Sequence, residues 1–260
     1  MILSFNIEYR TNWGEEVKLA GLSTESTPMY TTDGIYWTAE VELEVPQEGL
    51  TIHYSYQIEQ NGIVIRKEWN NFPRCLFLSG TPRKKYRIND CWKNIPEQLY
   101  LYSSAFTEAL LSHPERVDIP QGYKKGLIIK AYAPRINKDY CLAICGNQKA
   151  LGNWDPEKAV LMSDFNFPEW QVELDASKLK YPLEYKFILC HKQERKIECW
   201  EKNPNRYLAD PEIKTNETLV ISDRYVYFDI PMWKGAGIAI PVFSLKSEKS
   251  FGVRSEEHTS

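Results

Sequence analysis

The chain contains no apolar run approaching the ~20 residues that a membrane-spanning helix needs, and its opening, MILSFNIEYR, is not a positive stretch followed by an apolar one. No secretory signal is read there, so a cytoplasmic location and no membrane partner are the expectations. Histidine is scarce, four in 260 residues, and none stands at zinc spacing from a cysteine. Neither a metal nor any other cofactor is therefore expected. An excess of one charge is also missing: 32 Lys and Arg face 35 Asp and Glu, a net charge of -3, and the basic residues are scattered. A nucleic-acid partner calls for a basic face, and none is legible. No Ser-His-Asp set or phosphate loop is present. Acidic pairs such as Asp33 and Glu40, or Asp164 and Glu169, fall in turns and at strand edges, where carboxylates are solvated charges. No catalytic residue is assigned.

Aromatic residues are abundant by contrast, with eight Trp and sixteen Tyr in a chain that is 13% aromatic. That exceeds the needs of a core and suits a carbohydrate binder, a β-sandwich, or both. The six cysteines, among them Cys141 and Cys145 in the run CLAIC, Cys190 and Cys199, read as reduced and mostly buried thiols. A length of 260 residues fits two domains of roughly 100–130 residues each.

Short alternating runs recur along the chain, bounded by Gly, Pro, Asn and Asp. LSFNIEY, EVKLAGL, YWTAEVELEV and TIHYSYQIEQ come early; GLIIKAYAP, EWQVELD, LEYKFILC and RYVYFDI come later. This is all-β patterning, with Asn61–Gly62 as a hairpin signal. Only SSAFTEALL, at about 103–111, reads as a short helix. The predicted architecture is two immunoglobulin-like antiparallel β-sandwiches in tandem, joined by an ordered linker that contains that helix.

An internal repeat supports the tandem. Gly21 aligns with Gly146, Trp37 with Trp170, Tyr54 with Tyr185 and Arg74 with Arg206, each within a similar run of residues. The spacing from glycine to tryptophan is eight residues shorter in the first copy, and the extra segment of the second copy contains LGNWDPEKAV. The boundaries read as 1–82 for a degenerate first module, 83–123 for the linker and 124–230 for the second module. The linker is too long and aromatic for a flexible tether, and Trp92, Tyr100 and Tyr102 are expected to anchor it on the first sandwich.

In the second module, ICG, LGNWDPEKAV, the EW of EWQVEL, LEYKFI and CWEKNPNR occur in one order across residues 140–208. In these residues the module resembles the family-20 carbohydrate-binding modules, which bind starch. A glucose ring offers a flat C–H face, which an indole covers, and a rim of hydroxyls that needs donors and acceptors. The resemblance implies that Trp154 and Trp200 are the two stacking platforms and that Lys186 and Asn205 bond sugar hydroxyls, with Glu201 beside them. It implies a second site around Trp170, with Phe165 and Phe167 nearby. The partner so implied is an α-glucan polysaccharide or a maltooligosaccharide. The first module lacks LGNW, carries Ser55 where Lys186 stands, and has Trp69 one residue out of step with Trp200, so a structural or weakly binding copy is expected.

Residues 231–253, PMWKGAGIAIPVFSLKSEKSFGV, resemble the opening of the family-77 glucanotransferase catalytic domain. The resemblance implies that the chain is the front of such an enzyme, without the (β/α)8 barrel that holds its catalytic carboxylates. The alternative is a free-standing glycan-binding or regulatory protein. Residues 254–260, RSEEHTS, match the translation of a common sequencing adapter and are expected to be an artefact.

Overall fold

The computed structural model describes residues 1–228, apart from Asn70, 82–83, 97–100, 102, 104–121 and 137–138. Most of the expected helix at 103–111, the anchors Tyr100 and Tyr102, and the segments 231–253 and 254–260 lie outside the described residues.

A period of two in apolar side chains builds the first sandwich. In β1 (Ile2–Glu8) Leu3, Phe5 and Ile7 are buried, and in β5 (Leu50–Gln60) Ile52, Tyr54, Tyr56 and Ile58 are. The other strands are β2 (Glu15–Ala20), β3 (Thr27–Pro28), β4 (Tyr36–Glu42), β6 (Ile63–Lys67), β7 (Arg74–Leu78) and β8 (Lys85–Cys91). β5 is the centre of the outer sheet. Its later half pairs with β2 and β6, its first half with β7. The β5–β6 turn is Asn61–Gly62, with φ of 52° and 78°, and a two-residue I′ hairpin loop requires positive φ at both positions.

The second sandwich comprises β9 (Lys125–Tyr132), β10 (Tyr140–Gly146), β11 (Val160–Leu161), β12 (Ser163–Asn166), β13 (Glu169–Asp175), β14 (Leu183–His191), β15 (Ile197–Trp200), β16 (Arg206–Leu208) and β17 (Glu217–Tyr225). Its outer sheet runs β11-β10-β14-β15, with β16 also paired to β14.

The fold is all-β, and its inner layer is one continuous sheet shared by both sandwiches, ordered β12-β13-β9-β17-β8-β1-β4. The outer pairs β12–β13, β13–β9 and β1–β4 are antiparallel, but the four central strands β9, β17, β8 and β1 run parallel, a departure from purely antiparallel patterning. The long connections between these strands permit it, since a parallel pair needs a crossover rather than a tight turn. β9 reads KGLIIKAY and is buried on both faces. Ile128 and Val220 enter the core of the first sandwich, so Leu127, Ile129 and Leu219, one residue out of phase, face the second.

β8 also corrects the boundary at residue 82, because it lies inside the segment read as linker. Its inward residues are Tyr86, Ile88 and Asp90; the aspartate and the flanking charges hid the alternation. Trp92, just past β8, packs on the first core as expected, with its ring 4.3 Å from that of Tyr9.

The repeat is most exact inside the protein. In the first sandwich Asp90 accepts hydrogen bonds from the Tyr54 and Tyr56 hydroxyls at 3.0 and 2.9 Å and from Arg74 at 3.0 Å. Arg74 also donates to Glu68 at 2.6 and 3.2 Å, and Glu68 accepts the Tyr56 amide. In the second, Arg206 bonds Glu201 at 2.9 and 3.2 Å and lies 3.5 Å from Asp223. Asp223 accepts the Tyr185 hydroxyl at 2.7 Å, and Glu201 accepts the Phe187 amide at 2.8 Å. Each guanidinium also covers a ring, Arg74 over Tyr56 and Arg206 over Phe187. Ser222 of β17 donates to Asp90 at 2.7 Å, which ties the second sandwich to the first sandwich's cluster. Nearby, the buried Lys130 ammonium donates to the Cys75 carbonyl and pairs with Glu169 at 3.0 Å.

Candidate functional site

The segment that the second copy has and the first lacks follows β10. Gln148 clamps it, accepting from the Lys180 amide at 2.8 Å and donating to the Lys180 carbonyl at 2.9 Å. Leu151 is the buried anchor. A side chain at Gly146 would meet the Glu184 carbonyl at 2.5 Å and Leu151 at 2.7 Å, so this position admits only glycine. Gly152, Asn153 and Trp154 then take φ of 83°, 52° and 62°. Positive φ is costly for a bulky residue. Three in succession reverse the chain, so that Leu151 points inward and the indole of Trp154 stands half-exposed. Asp155 accepts the Glu157 amide at 3.1 Å. Lys158 beside it holds its carboxyl below the usual range, which keeps this cap charged.

Trp200 ends β15, half-exposed and opposite Ile188 of β14. The Trp154 and Trp200 rings lie 6.2 Å apart at an angle of 48°: two neighbouring indole faces inclined to each other. Lys186 faces outward from β14, half-buried. Asn205 is exposed, and its amide donates to Glu184 at 2.8 Å. Glu184 lies two residues before Lys186 on the same face, and the exposed Tyr207 is its partner across β16. The sequence reading missed both. Their signal was the alternation of β14 together with the register of β16, and three residues of strand are too few to reveal a register.

Two of the expected site residues are interior. Trp170 is 0% exposed; its indole donates to the Ala133 carbonyl at 3.1 Å, and Phe167 packs edge-on against it. No face of this ring is open to a sugar, and the correction is that Trp170 is a core residue. Its counterpart Trp37 does the same, donating to the Tyr9 carbonyl at 3.1 Å. Glu201, expected beside the ligand, is also buried, with its carboxylate engaged by Arg206 and the Phe187 amide. It positions the turn that carries Asn205 and touches no solvent.

In the first sandwich Trp69 is buried, with the Lys93 ammonium 5.6 Å from its ring, and its alignment with Trp200 fails because it points into the protein. Trp13, by contrast, is 99% exposed. A turn in which Glu15 accepts the Asn12 amide at 2.8 Å holds it out. Thr11, in the same loop, bonds Gly34 at 3.0 Å, next to the exposed Tyr36. The signal for Trp13 was present in TNWGEE, a tryptophan between turn residues, as Trp154 is in LGNWDP.

Residues 129–220 match the family model described as "Starch binding domain". Over 96% of its length the chain is 24% identical to the 4-alpha-glucanotransferase DPE2 of Oryza sativa subsp. japonica, and it spans 28% of that protein. Among solved structures it is similar to the family 15 glucoamylase of Hypocrea jecorina, at 21% identity and a TM-score of 0.34 over 47% of this chain and 19% of that one. It is also similar to the family 20 module of the maltotetraose-forming amylase of Pseudomonas saccharophila STB07, at 17% identity and a TM-score of 0.31 over 38% of this chain and 99% of that one.

Proposed function

We propose that the second sandwich seats a helical α-1,4-glucan on Trp154 and Trp200, with Lys186 and Asn205 bonding the sugar rim. The observation that carries this reading is the pair of half-exposed indoles 6.2 Å apart and inclined at 48°. One amylose turn offers successive apolar ring faces at an angle to each other, and two inclined indoles can cover two of them. Glu184 joins the polar set, since Asn205 already bonds it. The likeness to a glucanotransferase supports the wider reading, that the chain is the binding region of a cytoplasmic enzyme transferring α-1,4-glucan segments. There it would raise the concentration of a tethered substrate near a separate catalytic domain.

The test is calorimetric titration with β-cyclodextrin, a closed mimic of one amylose turn. The wild-type chain is expected to bind in the micromolar to low-millimolar range, about -8 to -4 kcal/mol. The Trp154→Ala/Trp200→Ala variant is expected to lose most of that heat at an unchanged melting temperature. A folded wild type that gives no heat would overturn the assignment.

A further inference from the structure

The four parallel strands of the shared sheet all end on the same side, and there the two sandwiches enclose a cleft of about 960 Å³. Glu8 of β1, Cys91 of β8, Tyr132 of β9 and Ser222 of β17 reach it. Neither sandwich has this cleft alone. The first supplies Tyr9, Tyr36 and Trp92 and the second supplies Asn203 and Tyr227. The Tyr9 and Trp92 rings pack at 4.3 Å into one wall, while Tyr36 and Tyr227 are 62% and 57% exposed. Asn203 accepts the Tyr227 amide at 3.3 Å, and the Lys202 amide donates to the Tyr227 carbonyl at 2.7 Å. The 201–205 turn thus holds Tyr227 at the cleft while also carrying Asn205, whose amide donates to Glu184 of β14.

The cleft's chemistry selects among ligands. Its buried guanidinium, Arg74, is engaged by Glu68 and Asp90, and its carboxylate, Asp223, by Tyr185 and Arg206. The Lys93 ammonium, also in the lining, donates to the Phe72 carbonyl, and the exposed Glu8 and Arg10 carry opposite charges, so no buried cation of the lining is left without a partner to call for an anion. Aromatic faces beside the amides of Asn94 and Asn203 suit a neutral ring with a rim of hydroxyls, and the volume lies in the range of small-molecule sites. We propose that the cleft is a second α-glucan subsite, built jointly by the two sandwiches, that takes a short open maltooligosaccharide segment. This rests on the α-glucan reading of the tryptophan pair.

Two ligands on the full chain separate the sites: β-cyclodextrin, whose closed ring reports the tryptophan pair, and maltohexaose, an open chain. Tyr36→Ala/Tyr227→Ala is expected to weaken maltohexaose binding about fivefold or more and to leave β-cyclodextrin binding unchanged. Asn94→Trp, which fills the mouth from an exposed position without removing a ring, is expected to reproduce that loss if the tyrosine variant folds poorly. In the Trp154→Ala/Trp200→Ala background, residual maltohexaose binding should persist and then vanish on adding the tyrosine substitutions. Unchanged maltohexaose affinity in folded Tyr36→Ala/Tyr227→Ala and Asn94→Trp chains overturns the cleft and leaves the tryptophan pair standing. A wild type that binds neither ligand overturns both.

Discussion

Arg74, Glu68, Asp90 and Tyr54 of the first sandwich stand where Arg206, Glu201, Asp223 and Tyr185 stand in the second, and the two sets make the same contacts. One layer outward the copies diverge. Ser55 replaces Lys186, Lys67 replaces Trp200, and the segment bearing Trp154 is missing. The hairpin that is charged in the second copy, through Lys192 to Lys196, carries exposed Ile63, Val64 and Ile65 in the first. A buried ion cluster cannot be altered one member at a time, because each loss strands a charge away from water. A side chain at the surface can be lost freely, since water fills its place. The interior therefore keeps the record of the repeat and the surface keeps the record of what each copy does.

The largest effect that sharpens this comparison is expected from the paired core tryptophans. Trp37→Ala and Trp170→Ala should each cost about 3–5 kcal/mol in urea denaturation. The Trp170→Ala chain, under conditions where it remains folded, should bind β-cyclodextrin like the wild type. A lost affinity at intact fold would restore Trp170 to the ligand surface.

The ion clusters come next. Arg74→Met leaves Glu68 and Asp90 buried without their cation and should cost about 3–5 kcal/mol. Arg206→Met should cost less, because Arg206 and Asp223 are partly exposed and water can screen what remains. Equal losses at the two positions would contradict the view that burial sets the difference.

A smaller effect, confined to a pH window, separates the first sandwich from the second. Burial, with the charge of Arg74 next, brings the Lys93 ammonium down to about 8, below the ~10.4 of a lysine in an unfolded chain. Between these values the unfolded chain holds a proton that the folded chain has released, so stability rises with pH across the window. Relative to Lys93→Met, the wild type should gain up to about 3 kcal/mol between about pH 8 and 10.4, read from denaturation midpoints at each pH. A flat difference would mean that Lys93 titrates normally in the fold.

Much of this was legible from residues alone. The hairpin at Asn61–Gly62 depends only on local φ preferences, and the half-exposure of Trp154 follows from its place between turn formers, where a bulky residue has nowhere inward to point. Trp170 and Glu201 were misread because a motif specifies which residues occur together, and says nothing about which side of a strand they take. Trp13 shares the turn context of Trp154, but it has no partner in the repeat, so comparing the two copies gives it no role.

By itself the sequence determined the all-β class, the tandem and the place of the extra segment that carries Trp154, because periodicity, turn chemistry and an internal repeat are properties of neighbouring residues. Only the tertiary structure decided that the two sandwiches share one sheet, that four of its strands run parallel, and that a cleft opens where they end. Those features arise from pairing between β8 and β17, more than a hundred residues apart in the chain. Backbone hydrogen bonds between strands carry no mark of their partner in the side chains; the choice is made by which faces must be buried together.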